Sequence, residues 1–468
     1  MADLFTIEEI VVAGNGVLRQ RGMAAAINGV ITDSRKDCTG ALFIPLKGES
    51  FDGHDFLAVA IANGAVAVLA EPGKCPDRLP PAVTVIEVRD TTAAYQDLAR
   101  YHRRRFPALR VAAVTGSSGK TSTKEMLRAI FNAAVGPDAV LATEGNTNNQ
   151  VGVPQNLLRL EARHQLAVVE MGTNHHGEIA PLSRMAEPEV ALITFIGNCH
   201  LEYLGSLDGV AREKSCIFQF LQPGGTAVIP YDGSAQSVLE EKTAGRKTLR
   251  FGSNPAADVS CRYLGGHLHG STVELHFKAL DRTVRFDWLL AGVHQAVNAA
   301  GAAAAALALG IAPEIIAAGL AECRLPGMRM RITSRENNIT WINDAYNANP
   351  DSMSSSLRWL AEFAVPERLF LVLGDMLELG SFAAEGHRRV LELAGRLFPA
   401  AKIFAVGKEM AAAGQGLQPE IAANMVFCPD AATAAARLQP EIVPDAMVFL
   451  KGSRGMKLET VEQTICGN

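Results

Sequence analysis

The chain has 468 residues, which at a soft prior of roughly 150 residues per domain suggests about three domains. Its 44 Lys and Arg against 49 Asp and Glu leave a net charge of -5, which excludes a dedicated nucleic-acid binder, because backbone affinity comes from clustered cations. With 48% hydrophobic, 20% charged and 6% aromatic residues, the chain reads as globular, with cores filled mostly by Ala, Val, Leu and Ile.

Near the N-terminus, short strands are expected at Gly29–Arg35 and Ala41–Leu46, then a helix at about 54–63 and strands at Ala65–Ala70 and Val83–Val88. Pro72, Pro76, Pro80 and Pro81 punctuate the loop between the last two. Asp90–Phe106 has helical periodicity with Asp90 or Thr91 as N-cap, and Arg103-Arg104-Arg105 reads as a solvated last turn favoured by the helix dipole. From 110 the pattern becomes strand (Arg110–Val114), turn (Gly116–Lys120) and helix (Thr121–Ala134). Strands at Leu166–Glu170, Val190–Ile196 and Ala227–Ile229, with helices between them, imply a mostly parallel, covered sheet. Arg250–Trp288 alternates as antiparallel strands do, and Gly292–Leu309 is a long Ala-rich helix with Gly310 as its C-cap. After about 312, strands at Leu369–Leu373, Lys402–Val406, Met425–Phe427 and Ala446–Leu450 alternate with helices. That second unit is Rossmann-like but has no G-x-G-x-x-G, so a dinucleotide site is not supported there. The expected fold class is α/β in three domains: a small α/β unit over 1–87, a central P-loop unit with a mostly parallel sheet over 88–312, and a C-terminal Rossmann-like unit over 313–468.

The longest apolar run, Ala299–Ala312, is too short to span a bilayer, so no membrane segment is expected. The start, Met-Ala-Asp-Leu, lacks the basic region of a secretory signal. Eight scattered Cys without a C-x-x-C pair fit reduced thiols better than zinc or disulfides, and a cytoplasmic location.

The strongest chemical signal is Val114-Thr-Gly116-Ser117-Ser118-Gly119-Lys120-Thr121-Ser122 between an apolar strand and a helix. Gly116 and Gly119 let the backbone turn its N–H groups toward a phosphate, and the helix N-terminus adds its positive end. Lys120 can reach the β- and γ-phosphates, and Thr121 can offer its hydroxyl to Mg²⁺. Val114 stands where the strict eight-residue motif has Gly. On these residues alone, an ATP-using ligase or kinase and an NTPase switch both remain open.

The order of segments narrows the choice. Thr115–Thr121, Gly145-Asn-Thr-Asn-Asn-Gln-Val-Gly-Val-Pro154, Glu170-Met-Gly, Asn198-Cys-His200 and Lys214 resemble the Mur ligases, which add amino acids to the UDP-MurNAc peptide precursor of bacterial peptidoglycan. Asp33-Ser-Arg35 and Asp52-Gly-His-Asp-Phe56 are similar to that family's UDP-sugar-binding N-terminal domain, and His294-Gln-Ala-Val-Asn298 to its H-N-x-x-N helix, with Gln295 in place of Asn. Asn343-Asp-Ala-Tyr-Asn-Ala-Asn-Pro350, Gly374-Asp-Met-Leu-Glu-Leu-Gly380 and Lys451-Gly-Ser-Arg-Gly-Met-Lys457 resemble the branch that takes the dipeptide D-Ala-D-Ala. The D-N-P-R typical of the members that add the third residue is absent.

The resemblance implies ATP with two Mg²⁺ ions, UDP-MurNAc-tripeptide and D-Ala-D-Ala as substrates, and a monomer without nucleic-acid or membrane partners. The chemistry it implies is amide formation through an acyl phosphate. It casts Lys120, Glu170, His200 and Lys214 as catalytic, and Thr121, Glu170, His200 and a carbamylated Lys214 as metal ligands. Read as residues alone, Lys214 is rather an exposed helical Lys paired with Glu213 or a neighbouring acid. Asn298 would meet the adenine side, Arg329 the ATP phosphates and Asp344 the ribose. Ser34, Arg35 and His54 would hold the UDP part, Asn148 and Asn149 substrate or nucleotide, and Asn347, Asn349 and Ser352 the dipeptide. Another Mur-type amino-acid ligase and a P-loop small-molecule kinase are the competing readings.

Overall fold

A computed structural model describes residues 3–467 except 49, 77, 78, 198, 200, 269, 291 and 326–330. Three larger sheets organise the chain in sequence order. The first has five strands in the order Val17–Gln20, Thr84–Glu87, Ala67–Ala70, Ala41–Phe43 and Gly29–Ile31, all parallel except the first pair. A two-stranded ribbon, Phe5–Thr6 with Ala26–Ile27, and the helix Ile7–Ala13 precede it; neither was legible as periodic sequence. The expected strand at Gly29–Arg35 ends at Ile31, because Asp33 turns the chain by accepting the Arg35 N–H at 3.1 Å.

The central sheet has nine strands, ordered Arg282–Trp288, Gly270–Phe277, Val259–His267, Lys247–Gly252, Thr226–Pro230, Val190–Ile193, Arg110–Thr115, Leu166–Glu170 and Val140–Ala142. Its strands are buried on both faces, as a covered parallel sheet requires: Val111, Ala112, Ala113 and Val114 are all fully buried. The expectation of antiparallel strands from Arg250 onward holds for Val259–Trp288 but not for Lys247–Gly252, which pairs parallel to both neighbours. The scarcity of aromatics has a packing counterpart. The helix Val293–Ala308 buries a run of alanines against the sheet, and a Cβ on Gly301 would stand 3.0 Å from the Phe251 ring. The helix caps at Leu309, and Gly310, at φ +72°, takes the left-handed position just after it.

The C-terminal sheet has six strands, Arg331–Ser334, Thr340–Asn343, Met447–Lys451, Leu369–Gly374, Lys402–Val406 and Met425–Cys428, parallel except for the first pair.

Arg103 departs from the expected solvated turn. It is buried and donates to the carbonyls of Ala186, Phe106 and Leu109 at 2.9–3.1 Å, while Arg100 and Arg104 pair with Glu187. A guanidinium with five donors can serve several carbonyls at once, so this run ties the Thr91–Arg104 helix to the central unit.

Candidate functional site

Arg110–Thr115 lies between Leu166–Glu170 on one side and Val190–Ile193 on the other, so the chain crosses to opposite sides of it. The carboxyl ends of strands flanking such a switch point are where open α/β sheets bind ligands. Here the phosphate loop leaves Thr115 and runs into the helix Lys120–Val135.

The loop is clamped from beneath. Gly116, at φ +155°, has no room for a side chain: a Cβ would stand 2.0 Å from Thr194 Oγ1. That hydroxyl donates to the Ser118 carbonyl at 2.5 Å. Ser117 Oγ donates to the Gly197 carbonyl at 3.1 Å and accepts the Gly197 N–H at 3.0 Å. Gly119, at φ +79°, is approached by Asn298, whose Oδ1 would lie 2.5 Å from a Cβ there. Lys120 Nζ donates to the Gly116 carbonyl at 2.7 Å, folded over the loop it would serve.

Glu170 ends its strand directly beside this loop, in register with Val114. Its Oε1 accepts from the Thr121 hydroxyl at 3.1 Å and the Asn148 amide at 2.9 Å. Its Oε2 is buried and has no hydrogen-bond partner among the described residues. An unmet carboxylate oxygen beside a hydroxyl and a phosphate cradle is a donor set for a hard divalent cation, with phosphates and water completing the shell. Among the described residues no group of three or more His, Cys, Asp and Glu could hold a metal ion without such help.

Lys214 is 1% exposed, on the helix Leu207–Ser215. Burial, reinforced by the Lys120 charge, brings its ammonium down to about 7. Glu213 is not its partner. That carboxylate accepts the N–H groups of Gly177, Glu178 and Ile179 at 2.8–3.0 Å, capping the helix Ile179–Ala186.

A second wall faces the loop across a cleft of about 150 Å³ lined by Ser118–Ser122, His294, Gln295, Asn298, Asp344 and Lys451. Asn347, Ser352 and Ser356 complete its C-terminal side. Asp344 Oδ2 accepts from Lys451 Nζ at 2.5 Å and from Ser356 Oγ at 3.1 Å. His294 lines the cleft half-buried, its Nδ1 enclosed with no hydrogen-bond partner among the described residues; burial, with Lys451 adding to it, holds its ring down to about 4, so the imidazole is neutral. Gln295 accepts from the Asn298 amide at 3.2 Å, which makes the two a single amide pair at the cleft.

Other nominated residues serve their own backbone. Asn149 Oδ1 accepts the N–H groups of Val151 and Gly152, at 3.1 and 2.9 Å. Asn349 and Ser352 form a capping box at the start of the helix Pro350–Leu360. Asn347 Oδ1 accepts the Ala348 N–H. In the N-terminal unit Arg35 makes a paired contact with Asp33 at 2.8 and 2.9 Å, and the Ser34 carbonyl accepts from Asn63. His54 is buried between Asp52 and the Glu71 N–H, with Lys74 pairing Asp52 at 2.7 Å from outside. His200 and Arg329 lie outside the described residues. Sequence reasoning missed Thr194, Ser356 and the role of Lys451. The last had a signal: a charged residue ending an apolar strand, the same signal that singled out Glu170.

Fold and cleft together define a protein of the phosphate-loop class whose loop faces a second α/β unit across the cleft. Family models match in three consecutive stretches: "Mur ligase family, catalytic domain" over 26–103, "Mur ligase middle domain" over 114–306 and "Mur ligase, glutamate ligase domain" over 328–454. The chain is 36% identical over 470 residues to the UDP-N-acetylmuramoyl-tripeptide–D-alanyl-D-alanine ligase of Escherichia coli (strain K12), covering 99% of this chain and 98% of that protein. It is 35% identical over 441 residues to the same-named ligase of Bacillus subtilis (strain 168), covering 93% and 92%. A crystal structure of MurF from Acinetobacter baumannii superposes with a TM-score of 0.89 at 32% identity, covering 99% of both chains. This chain belongs to the Mur ligase family.

Proposed function

We propose that this protein is an ATP-dependent ligase that joins D-Ala-D-Ala to UDP-MurNAc-tripeptide, giving UDP-MurNAc-pentapeptide, ADP and phosphate. The observation that carries the reading is the meeting of Thr121 and Asn148 on the buried Glu170 beside the phosphate loop, in a cleft closed by Asp344 and Lys451. The relatives bearing this activity in their names span nearly the whole chain.

In the first step a carboxylate oxygen of the tripeptide attacks the γ-phosphorus and the bond to the β-phosphate oxygen breaks, leaving ADP and an acyl phosphate. The dipeptide amine then adds to the acyl carbon, loses a proton, and expels phosphate. Neither step needs a protein nucleophile; both need charge neutralised and reactants aligned. Backbone N–H groups of 118–121 cradle the phosphates, that of Ser117 being held by the Phe195 carbonyl at 2.8 Å, and Lys120 swings from the Gly116 carbonyl to meet them. Thr121 and Glu170 would hold one magnesium ion, and His200 with Lys214 as its carbamate a second beside Glu170. Magnesium there supplies charge neutralisation on the transferring phosphoryl group. A buried amine held near neutrality is available in its free-base form to add to CO₂ with loss of a proton, which supports the carbamate. In ¹³C-bicarbonate the parent protein should show a carbamate carbon resonance that Lys214→Arg lacks; its persistence in the variant would reject the assignment.

Across the cleft, Asn298 with Gln295 on the central unit meets the adenine side and Asp344 on the C-terminal unit the ribose, with the phosphates assigned to Arg329. Ser34 and Arg35 hold the UDP part, with His54 behind them holding the Asp52–Lys74 pair. The Asn347–Ser352 neighbourhood receives the dipeptide. The division of labour follows units bounded near 87 and 312, acting as a cytoplasmic monomer. Among the described residues no helix is long and apolar enough to cross a membrane.

The test is phosphate release from ATP and UDP-MurNAc-tripeptide with and without the dipeptide. Release that depends on D-Ala-D-Ala is expected; ADP formed without any amine and without free phosphate, the phosphoryl group staying on the UDP-MurNAc-tripeptide, points to a kinase, and turnover with single amino acids but not the dipeptide to another family member.

A further inference from the structure

The outer edge of the central sheet does something the nucleotide cleft does not explain. The hairpin strands Val259–His267 and Gly270–Phe277 extend past the sheet onto the end of the helix Pro350–Leu360 in the C-terminal unit. Their register shifts between Tyr263 and Gly266, a bulge that frees the Gly266 N–H from the ladder. That N–H and the Tyr263 hydroxyl both donate to one oxygen of Glu362, Oε2, at 2.7 and 3.0 Å. The strand backbone lies against Trp359, which is 1% exposed: a Cβ on Gly266 would stand 2.8 Å from the indole Cδ1. Leu268, further out on the hairpin, packs against the apolar core of the C-terminal sheet.

Both partners of this contact run directly into the cleft. The helix that ends at the hairpin carries Ser352 and Ser356 on the cleft, Ser356 holding Asp344. The hairpin continues through Arg282–Trp288 to Gly292, His294 and Gln295, on the facing wall. At Gly292 the two meet again, since a Cβ there would lie 2.9 Å from the His294 ring and 3.8 Å from Trp359 Cβ.

We infer that the hairpin's grip on Glu362 and Trp359 sets the spacing between the two walls of the nucleotide cleft, making Tyr263, Gly266, Trp359 and Glu362 positioning residues for ATP. The inference rests on the proposed nucleotide site. None of these four residues lines the cleft, so their effect runs through Ser356–Asp344 on one wall and His294–Gln295 on the other. The UDP-sugar unit at the far end of the chain is untouched by the contact, so nucleotide affinity moves and UDP-sugar affinity does not when the grip is broken.

Glu362→Ala removes the shared acceptor, Glu362→Gln keeps an oxygen at the same place, and Tyr263→Phe deletes one donor with minimal change of packing. Expected for Glu362→Ala is a five- to tenfold rise in KM for ATP and in the ADP dissociation constant measured by calorimetry. KM for the UDP-MurNAc-tripeptide should stay within twofold. Glu362→Gln should return to within about twofold of the parent, and Tyr263→Phe should fall between them. Should Glu362→Ala fail to fold, Tyr263→Phe with Gly266→Ala, which wedges a methyl against Trp359, carries the same comparison. Unchanged ADP affinity in these variants overturns the inference, as does an equal rise for both substrates. If the parent protein itself binds no ADP, it is the nucleotide-site reading that has failed.

Discussion

The two walls of the cleft solve opposite problems. On the phosphate-loop side a carboxylate oxygen is left unmet, Glu170 Oε2 having no partner among the described residues, and a lysine, Lys214, is buried with its ammonium brought down to about 7. On the C-terminal side Asp344, Lys451 and Ser356 satisfy one another. Unmet buried groups cost stability and persist where a ligand completes them, whereas a satisfied network holds its own shape. The first wall is built to be finished by nucleotide and metal, and the second to arrive already formed. Substitutions should therefore separate the walls, with activity failing on one side and stability on the other.

The largest expected effect is on the first wall. Lys120→Ala should lower kcat/KM by at least about 10³-fold, because a cation is lost where phosphoryl charge develops. Among the described residues Lys120 makes no ion pair and its one hydrogen bond is with its own loop, so the melting temperature should hold within about 2 °C. Retained turnover would refute the phosphate-loop assignment, and a collapsed melting temperature would break the contrast between the walls. On the second wall Lys451→Met should do the reverse. It strands Asp344, 9% exposed, without its cation, at a cost of about 3–5 kcal/mol in urea unfolding of the C-terminal unit. A loss below about 1 kcal/mol would mean that the pair is held for the ligand rather than for the fold.

His294 sharpens the contrast through pH. Its ring titrates at an ordinary value of 6.5 when unfolded and at about 4 when folded. Between those values the unfolded chain binds more protons, so the stability this residue confers is complete above pH 6.5 and is lost as pH falls toward 4. The expected loss is about 2 kcal/mol between pH 6.5 and 5. Urea midpoints of the parent and His294→Gln at both pH values check it; equal slopes in the two proteins would remove His294 from the account.

The part of this site that sequence reveals is the part made by neighbours in sequence. Gly116–Thr121 is legible because a left-handed Gly, a helix start and a flanking strand are local events, and the structure places them as expected. Glu170 is legible because a carboxylate ending an apolar strand is out of place unless it faces something. Pairings across long separations are not legible. Lys451 reaches Asp344 across 107 positions, and Arg103 reads as a solvated turn until the Ala186 carbonyl, 83 positions away, comes to lie against it. The same limit explains Asn349 and Ser352. Their amide and hydroxyl look like ligand groups in sequence, and only the helix that follows shows them bonded to each other's backbone.

That double role sets up the smallest effect and the finest discrimination. Asn349→Ala removes the cap of the Pro350–Leu360 helix, at about 1 kcal/mol, while Asn349→Asp keeps an acceptor oxygen and adds a charge that the helix N-terminus favours. If Asn349 serves the dipeptide by fixing the helix start, KM for D-Ala-D-Ala follows the cap. It should rise about threefold in Asn349→Ala and return near the parent value in Asn349→Asp, in step with the urea midpoints. If instead the amide touches the dipeptide, both variants raise KM together while only the Ala variant loses stability. The first pattern is expected, because the amide oxygen is already engaged at 2.8 Å by the Ser352 N–H, and a group so engaged shapes the second wall before any ligand reaches it.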